Sequence, residues 1–473
     1  MTDDTDYFKT REFQKILKRY EESVRSGQST YMDADDLADI ADYYQYQGQP
    51  DEAEEAINLA LRINSEALGP LLYKARQALS RNNYETAWDY AEHIKALDEA
   101  EYMYLYGEIL ICEGKTEDAD QWFRQNYKET PPDELMDYVY DVAHLFAEYD
   151  QYEKAFEWVA RSQGDDSDDF KELMARTLYG LGKYEDSSRL FNELIDQHPY
   201  SKDYWNALAS AQYMNEDYGA SVTSSEYAIA IDPHDPDSFL AKAHALYCLE
   251  NYEEALNYFK RYSEMRSNDE LGFLHQGTCL INLGRYDEAI ACLEEAKDLA
   301  ADDSPYLAEI YQELAFSYSE KQLPETALYI LDKTKDLDCD HINMEVIKGH
   351  ILLSNKRIDE AEKAFKEAIR MSGNAPKTML RVMVSLYDNG MIKTAYSFFK
   401  AFFSQIDSEW KEGYAYMAIC CWDLHYTEEF LKYLSIAVEK NPKESRRVLA
   451  QLFPDGMDPS EYINYIKDKL KTK

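Results

Sequence analysis

The sequence predicts an all-α solenoid of about twelve stacked helix pairs, and three observations predict it. Short segments recur. Leu181-Gly182-Lys183-Tyr184-Glu185-Asp186-Ser187 matches Leu283-Gly284-Arg285-Tyr286-Asp287-Glu288-Ala289, and Asn251-Tyr252-Glu253-Glu254-Ala255 and Arg357-Ile358-Asp359-Glu360-Ala361 follow the same pattern. The recurrence is long, with a mean step of about 34 residues, room for two helices and their turns. Each unit also holds two apolar stripes of helical period, split by a short polar turn. In one unit Phe273, Gly277, Leu280 and Ile281 form the first stripe and Tyr286, Ala289, Ile290 and Leu293 the second.

Taken in order, residues 7–25 predict a capping helix with Phe13, Ile16, Leu17, Tyr20 and Val24 on one side. Units then begin at 34, 68, 100, 136, 168, 202, 236, 270, 308, 342, 376 and 411. Gly48, Gly114, Gly182, Gly284 and Gly390 follow first helices, where a left-handed C-cap is expected. The longest step, from 270 to 308, adds residues around Ala300-Ala301-Asp302-Asp303-Ser304-Pro305, as one more helical turn or a longer loop. We therefore divide the array into repeats over 34–307 and repeats over 308–444, with a bend or a harmless surface insertion between them. Residues 1–33 lead in and 445–473 close the array. In the closing segment Val448, Leu449 and Leu452 predict one helix, Pro454-Asp455-Gly456 breaks it, and Ile463, Ile466 and Leu470 predict another. Such caps shield the open ends of a repeat stack.

The repeat resembles the tetratricopeptide family. That family places small residues at positions 8, 20 and 27 of its unit and often Pro near the end. Here positions 8 and 20 are Ala41 and Ala53, Ala75 and Ala87, Gly107 and Ala119, Ala143 and Ala155, Ala175 and Ser187, and Ala209 and Ser221 in the first six units. They continue as Ala243 and Ala255, Gly277 and Ala289, Ala315 and Ala327, and Gly349 and Ala361. The last two units depart from the pattern with Met383 before Ala395 and Ala418 before Phe430. Pro131, Pro199, Pro233 and Pro442 fall at the family's terminal proline. The resemblance covers 34–444 and implies a right-handed α-solenoid superhelix that binds other proteins, with no cofactor.

Composition narrows the function. Asp and Glu number 91 against 50 Lys and Arg, a net charge of −41, which repels nucleic acid and anionic membrane surfaces. With 45% hydrophobic and 14% aromatic residues, the chain has ample material for a core. Met1-Thr2-Asp3-Asp4-Thr5-Asp6 has no signal-peptide character, and no apolar run of about 18 residues predicts a membrane span. Seven scattered cysteines without a CxxC fit reduced thiols, so the expected location is cytoplasmic.

No phosphate-binding, dinucleotide, zinc-protease or serine-hydrolase motif occurs. Gly164-Asp165-Asp166-Ser167-Asp168-Asp169 lacks the central Gly and terminal Glu of a calcium loop, and reads as a solvated cap. Asp338-Cys339-Asp340-His341 misses zinc spacings. The expected protein has no catalytic, cofactor or metal site.

The resemblance implies that first helices line a concave groove through positions 2, 5, 9, 12 and 13. There the alignment places fifteen carboxylates, among them Glu101, Glu108, Glu172, Glu309 and Asp388, and three cations, Arg76, Arg176 and Lys377. Eight of the fifteen are at position 2, where they also suit a helix N-terminus. Tyr104, Tyr140, His144, Tyr179, Asn206, Tyr213, His244 and Tyr247 fall on the same positions. With Glu172 they are the candidate partner-binding residues, although some rings are expected to pack between repeats instead. The expected function is a non-catalytic adaptor for a basic or amphipathic partner segment. The alternatives are a peptide-sensing regulator and, last, an enzyme with its site in the groove.

Overall fold

The computed structural model describes residues 7–26, 32–162, 166–454 and 456–471. The lead-in 1–6, Gly164, Asp165, Asp455 and the side chain of Leu470 lie outside them. Among the described residues there are 27 α-helices and no strand. The chain divides into two compact units, Met1–Asp217 and Tyr218–Lys473.

The first unit opens with α1 (Arg11–Ser26). Its Phe13, Leu17 and Tyr20 are buried and Ile16 half-buried, whereas Val24, expected on the same side, is open to water at 54% exposure. The helix pairs follow: α2 (Ala34–Tyr46) and α3 (Pro50–Ile63), α4 (Leu68–Ser80) and α5 (Tyr84–Lys95), α6 (Glu99–Cys112) and α7 (Thr116–Tyr127). Next come α8 (Leu135–Glu148) and α9 (Tyr152–Val159), then α10 (Asp168–Gly180) and α11 (Tyr184–Gln197), and α12 (Lys202–Met214) ends the unit.

The second unit starts with α13 (Tyr218–Ile231). Its pairs are α14 (Pro236–Cys248) and α15 (Tyr252–Met265), α16 (Glu270–Asn282) and α17 (Tyr286–Leu299), α18 (Leu307–Glu320) and α19 (Pro324–Asp332). They continue as α20 (His341–Ser354) and α21 (Ile358–Met371), α22 (Pro376–Asp388) and α23 (Ile392–Phe403), and α24 (Tyr414–Asp423) and α25 (Thr427–Lys440). The extra residues before α18 are a loop, not another helical turn, and α17 packs directly on α18 across it. The closing segment forms α26 (Pro442–Leu449) and α27 (Tyr462–Lys471), which bury Leu449 and Ile466.

One backbone feature fixes the register. The fifteenth residue of every unit has positive φ, between +56° and +76°: Gly48, Asn82, Gly114, Asp150, Gly182, Glu216, Glu250, Gln322, Lys356, His425, Gly284 and Gly390. A left-handed residue there ends the first helix and turns the chain into the second, whatever its side chain. Twelve such turns, in step across the long 270–308 interval, give twelve repeats.

Tight packing inside each pair explains the small residues. A Cβ added to Gly107 would lie 2.0 Å from the Phe123 ring, and one on Gly349 2.3 Å from Phe365. Ala53, Ala87, Ala119, Ala155, Ala255, Ala289, Ala327 and Ala361 are all fully buried at position 20. The large residue at position 24, such as Phe123, Phe191, Phe259 or Phe399, fills the space they leave. Each such side chain contributes about 1.5–3 kcal/mol by burial. In the last pair Phe430 is buried where the others have a small residue, and Leu434 is buried at position 24. Five first helices begin on carboxylate caps. Asp33, Asp98, Asp235, Asp269 and Asp340 each accept from a backbone amide of the following turn.

Candidate functional site

Within each unit, several consecutive first helices touch. The contacts are α2–α4, α6–α8 and α8–α10 in the first, and α16–α18, α18–α20, α20–α22 and α22–α24 in the second. Successive second helices meet through long side chains, as where Trp158 of α9 donates to Asp120 of α7 at 2.9 Å, whereas the first helices approach through their backbones, so that side is the inner face of each unit. Its side chains keep contact with water while helices crowd them, a setting that disfavours charge.

In the first unit this face carries a polar chain. Arg76 on α4 donates from Nε to Glu108 on α6 at 3.3 Å, and Tyr149, just past α8, donates to the other Glu108 oxygen at 2.6 Å. Glu108 is buried while the Arg76 side chain remains 58% exposed, so the ion pair is open on one side only. Tyr104 donates to Asp141 at 2.9 Å. Burial pushes the carboxyls of Glu101 and Asp141 above the usual range, even though Arg76 and the Tyr104 hydroxyl respectively pull them down. Burial, then Asp141, also raises the Tyr104 phenol. Tyr140 stacks on His144 at 5.9 Å and meets Phe170 edge-on, and His144 lies 3.7 Å from Glu148.

Glu172 is engaged within its own helix, with the Arg176 guanidinium at 2.7 Å. It also accepts from Tyr204, whose phenol is raised by burial and then by that carboxylate. Tyr179 sits edge-on to Tyr184 at 5.5 Å. Asn206 and Tyr213 are half-buried on α12. The Asn206 carbonyl accepts from Ser210 at 3.0 Å.

In the second unit Tyr247 packs edge-on to Tyr252 at 5.3 Å, in the same register as Tyr179 and Tyr184, and accepts from Asn282. Both tyrosines thus spend one ring edge on the next helix of their own pair. His244 lies 4.6 Å from His275 and both rest on Phe259. Burial lowers these imidazoles to about 4 and about 3, His275 being lowered further by His244. Beyond them, burial raises the carboxyls of Glu309, Glu313 and Asp388.

The sequence reading missed Asp141, His275 and Glu313. All three are position 6 of their units, next to positions 2, 9 and 13 on the helix surface, so the stripe across the inner face is wider than the positions counted. The signal was the titratable residue at a recurring place. Among the described residues no group of three or more metal-ligating side chains exists. Asp340 of the Asp338-Cys339-Asp340-His341 cluster caps α20, while Cys339 and His341 are 3.7 Å apart. Nor is any described helix long and apolar enough to cross a membrane.

A tetratricopeptide-repeat model matches residues 37–66 and 346–374, which fall on the pairs α2/α3 and α20/α21. A model of the anaphase-promoting complex, cyclosome, subunit 3, matches residues 197–296. No curated protein matches the chain. Among solved structures it is similar to yeast Tom70, at 15% identity over 88% of this chain and 94% of that one, with a TM-score of 0.43. It is also similar to a tetratricopeptide repeat protein from Parabacteroides merdae, at 12% identity over 52% and 96%, with a TM-score of 0.41. A third is YrrB, described as a protein of this repeat class with an unusual peptide-binding site, at 22% identity over 41% and 95%, with a TM-score of 0.33.

Proposed function

We propose that this chain, a tetratricopeptide-repeat protein, is a non-catalytic adaptor that holds a basic or amphipathic segment of a partner against its first-helix faces. Protein–protein interaction is the general work of such repeats. The finer reading rests on one observation. Glu101, Asp141, Glu309, Glu313 and Asp388 are crowded carboxylates whose burial opposes their charge. A Lys or Arg from a partner would relieve that cost, because a nearby cation favours the charged form. Tyr104, Tyr140, Tyr179, Tyr213 and Tyr247 offer rigid amphipathic surface beside them, the kind of side chain enriched at interfaces.

The test is affinity capture on the full chain, followed by mapping of the bound segment in each captured protein. The reading expects segments with several Lys or Arg around apolar anchors, whose binding Glu101→Lys weakens. Capture of segments that are acidic throughout, bound equally well by Glu101→Lys, would contradict it.

A further inference from the structure

A second surface lies among the second helices of the second unit. Between α21 and α23, floored by α22, is a cavity of about 480 Å³, within the range of ligand-binding clefts. One wall runs from Ile358 to Ile369 and the other from Thr394 to Gln405. Eleven residue steps along a helix rise about 17 Å, so the opening is a slot and not a round pit. Large apolar side chains stand open to water beside it, Phe398 at 56% exposure and Ile358 at 53%. Met379, Met383 and Met391 line it, whereas the whole chain has 14 methionines in 473 residues. Unbranched thioether side chains fit apolar partners of varied shape.

Charge decides the occupant's character. On the α23 side the lining polar residues are Thr394 and Gln405, and Ala401 is exposed between them. On the α21 side Glu362 and Lys366 pair with each other. The mouth is therefore electrically balanced, on a molecule whose net charge is −41. An ionic ligand finds no counter-charge here, and an uncharged apolar surface leaves none unpaired. Length favours a row of side chains over one compact molecule, since three helical turns rise about 16 Å. We propose that this slot is a docking site for an amphipathic helix of a partner protein, entered by uncharged apolar side chains at i, i+4 and i+7 spacing. It is separate from the first-helix face and prefers the opposite kind of contact.

The experiment uses the full chain and a displayed library of helical peptides about sixteen residues long, a little over four turns. Recovered peptides are measured by fluorescence anisotropy against the wild type, Ala401→Glu, Phe398→Ala and Glu101→Lys. The proposal expects recovered sequences with uncharged apolar residues at helical spacing. Ala401→Glu, which adds a charge at an exposed lip position, should weaken them by about tenfold or more, and Phe398→Ala in the same direction. Glu101→Lys should leave them unchanged. Peptides indifferent to both slot variants overturn the proposal. So does a result in which no helix is recovered but dodecanol, a neutral apolar molecule, binds the wild type and not Ala401→Glu. A dimer in sedimentation that Ala401→Glu dissolves would make the occupant a second copy, and overturns it too.

Discussion

The two histidines of the second unit show how the fold uses a side chain against its usual behaviour. His244 was a candidate contact residue because of its position, yet in the structure it packs against His275 and Phe259 in a crowded joint between α14 and α16. Burial holds the two imidazoles neutral down to about pH 4 and 3, while in the unfolded chain they protonate near 6.5. Between those values the unfolded state binds more protons, so their contribution is present above about 6.5 and lost as pH falls. The urea midpoint of the wild type should therefore fall more steeply from about pH 7 to about pH 5 than that of His244→Phe/His275→Phe. Equal slopes would contradict the neutral pair. Tyr179 is a harder case, because Tyr184 already covers one edge of its ring. Tyr179→Ala and Tyr213→Ala should each weaken a partner bound to this face by about 1–3 kcal/mol, chiefly in the off-rate. If binding is unchanged while denaturant midpoints drop, these rings serve packing alone.

At the scale of the helix pair, most of the architecture was legible in the sequence. The small residues of positions 8 and 20 marked the helix crossing, and Gly48, Gly114, Gly182, Gly284 and Gly390 marked the turn. Seven further units make the same left-handed turn without glycine, from Asn82 to His425, so composition alone could not reveal how regular it is. The backbone demand is testable by itself at Gly284, where an added Cβ has no neighbour within 4 Å. Gly284→Ala should cost about 1–2 kcal/mol from left-handed backbone strain. Lys356→Gly, at the same place in its unit, should change stability by less than about 1 kcal/mol, because relief of strain offsets added chain entropy. The crossing is tested by Ala289→Leu and Ala361→Leu, both fully buried, each costing about 1–3 kcal/mol through overpacking. Glu295→Leu, on an exposed position of the same helix as Ala289, should cost little. Equal denaturant midpoints for all three would contradict the pairing. The candidate site was less legible. Positions 5, 9 and 12 could be read off the repeat, but several of their partners lie in the neighbouring unit. Tyr104 finding Asp141, or Glu172 finding Tyr204, is a result of stacking that one repeat does not contain.

At the scale of the molecule, the large negative charge has several sources. Some of it caps first helices, as Asp33, Asp98, Asp235, Asp269 and Asp340 do. Some forms a ladder between successive second helices, where Arg285 reaches Glu253 and Arg357 reaches Glu325 one repeat back. Such exposed pairs contribute little stability each. The remainder includes the crowded carboxylates of the first-helix faces, such as Glu101, Glu309 and Glu313. A surface of this sign speeds the approach of a basic segment, and salt screens it over a Debye length of about 8 Å at physiological ionic strength. Because burial raises the free carboxyls and a bound cation lowers them again, binding should release protons and weaken as pH falls through their raised range. The most direct measurement is stopped-flow association of a captured basic segment with the wild type, Glu101→Lys and Glu309→Lys at low and high salt. Each reversal should slow association and flatten its salt dependence, while dissociation changes less. Association rates that ignore both reversals, with a salt dependence equal to the wild type's, would place the partner elsewhere on the molecule.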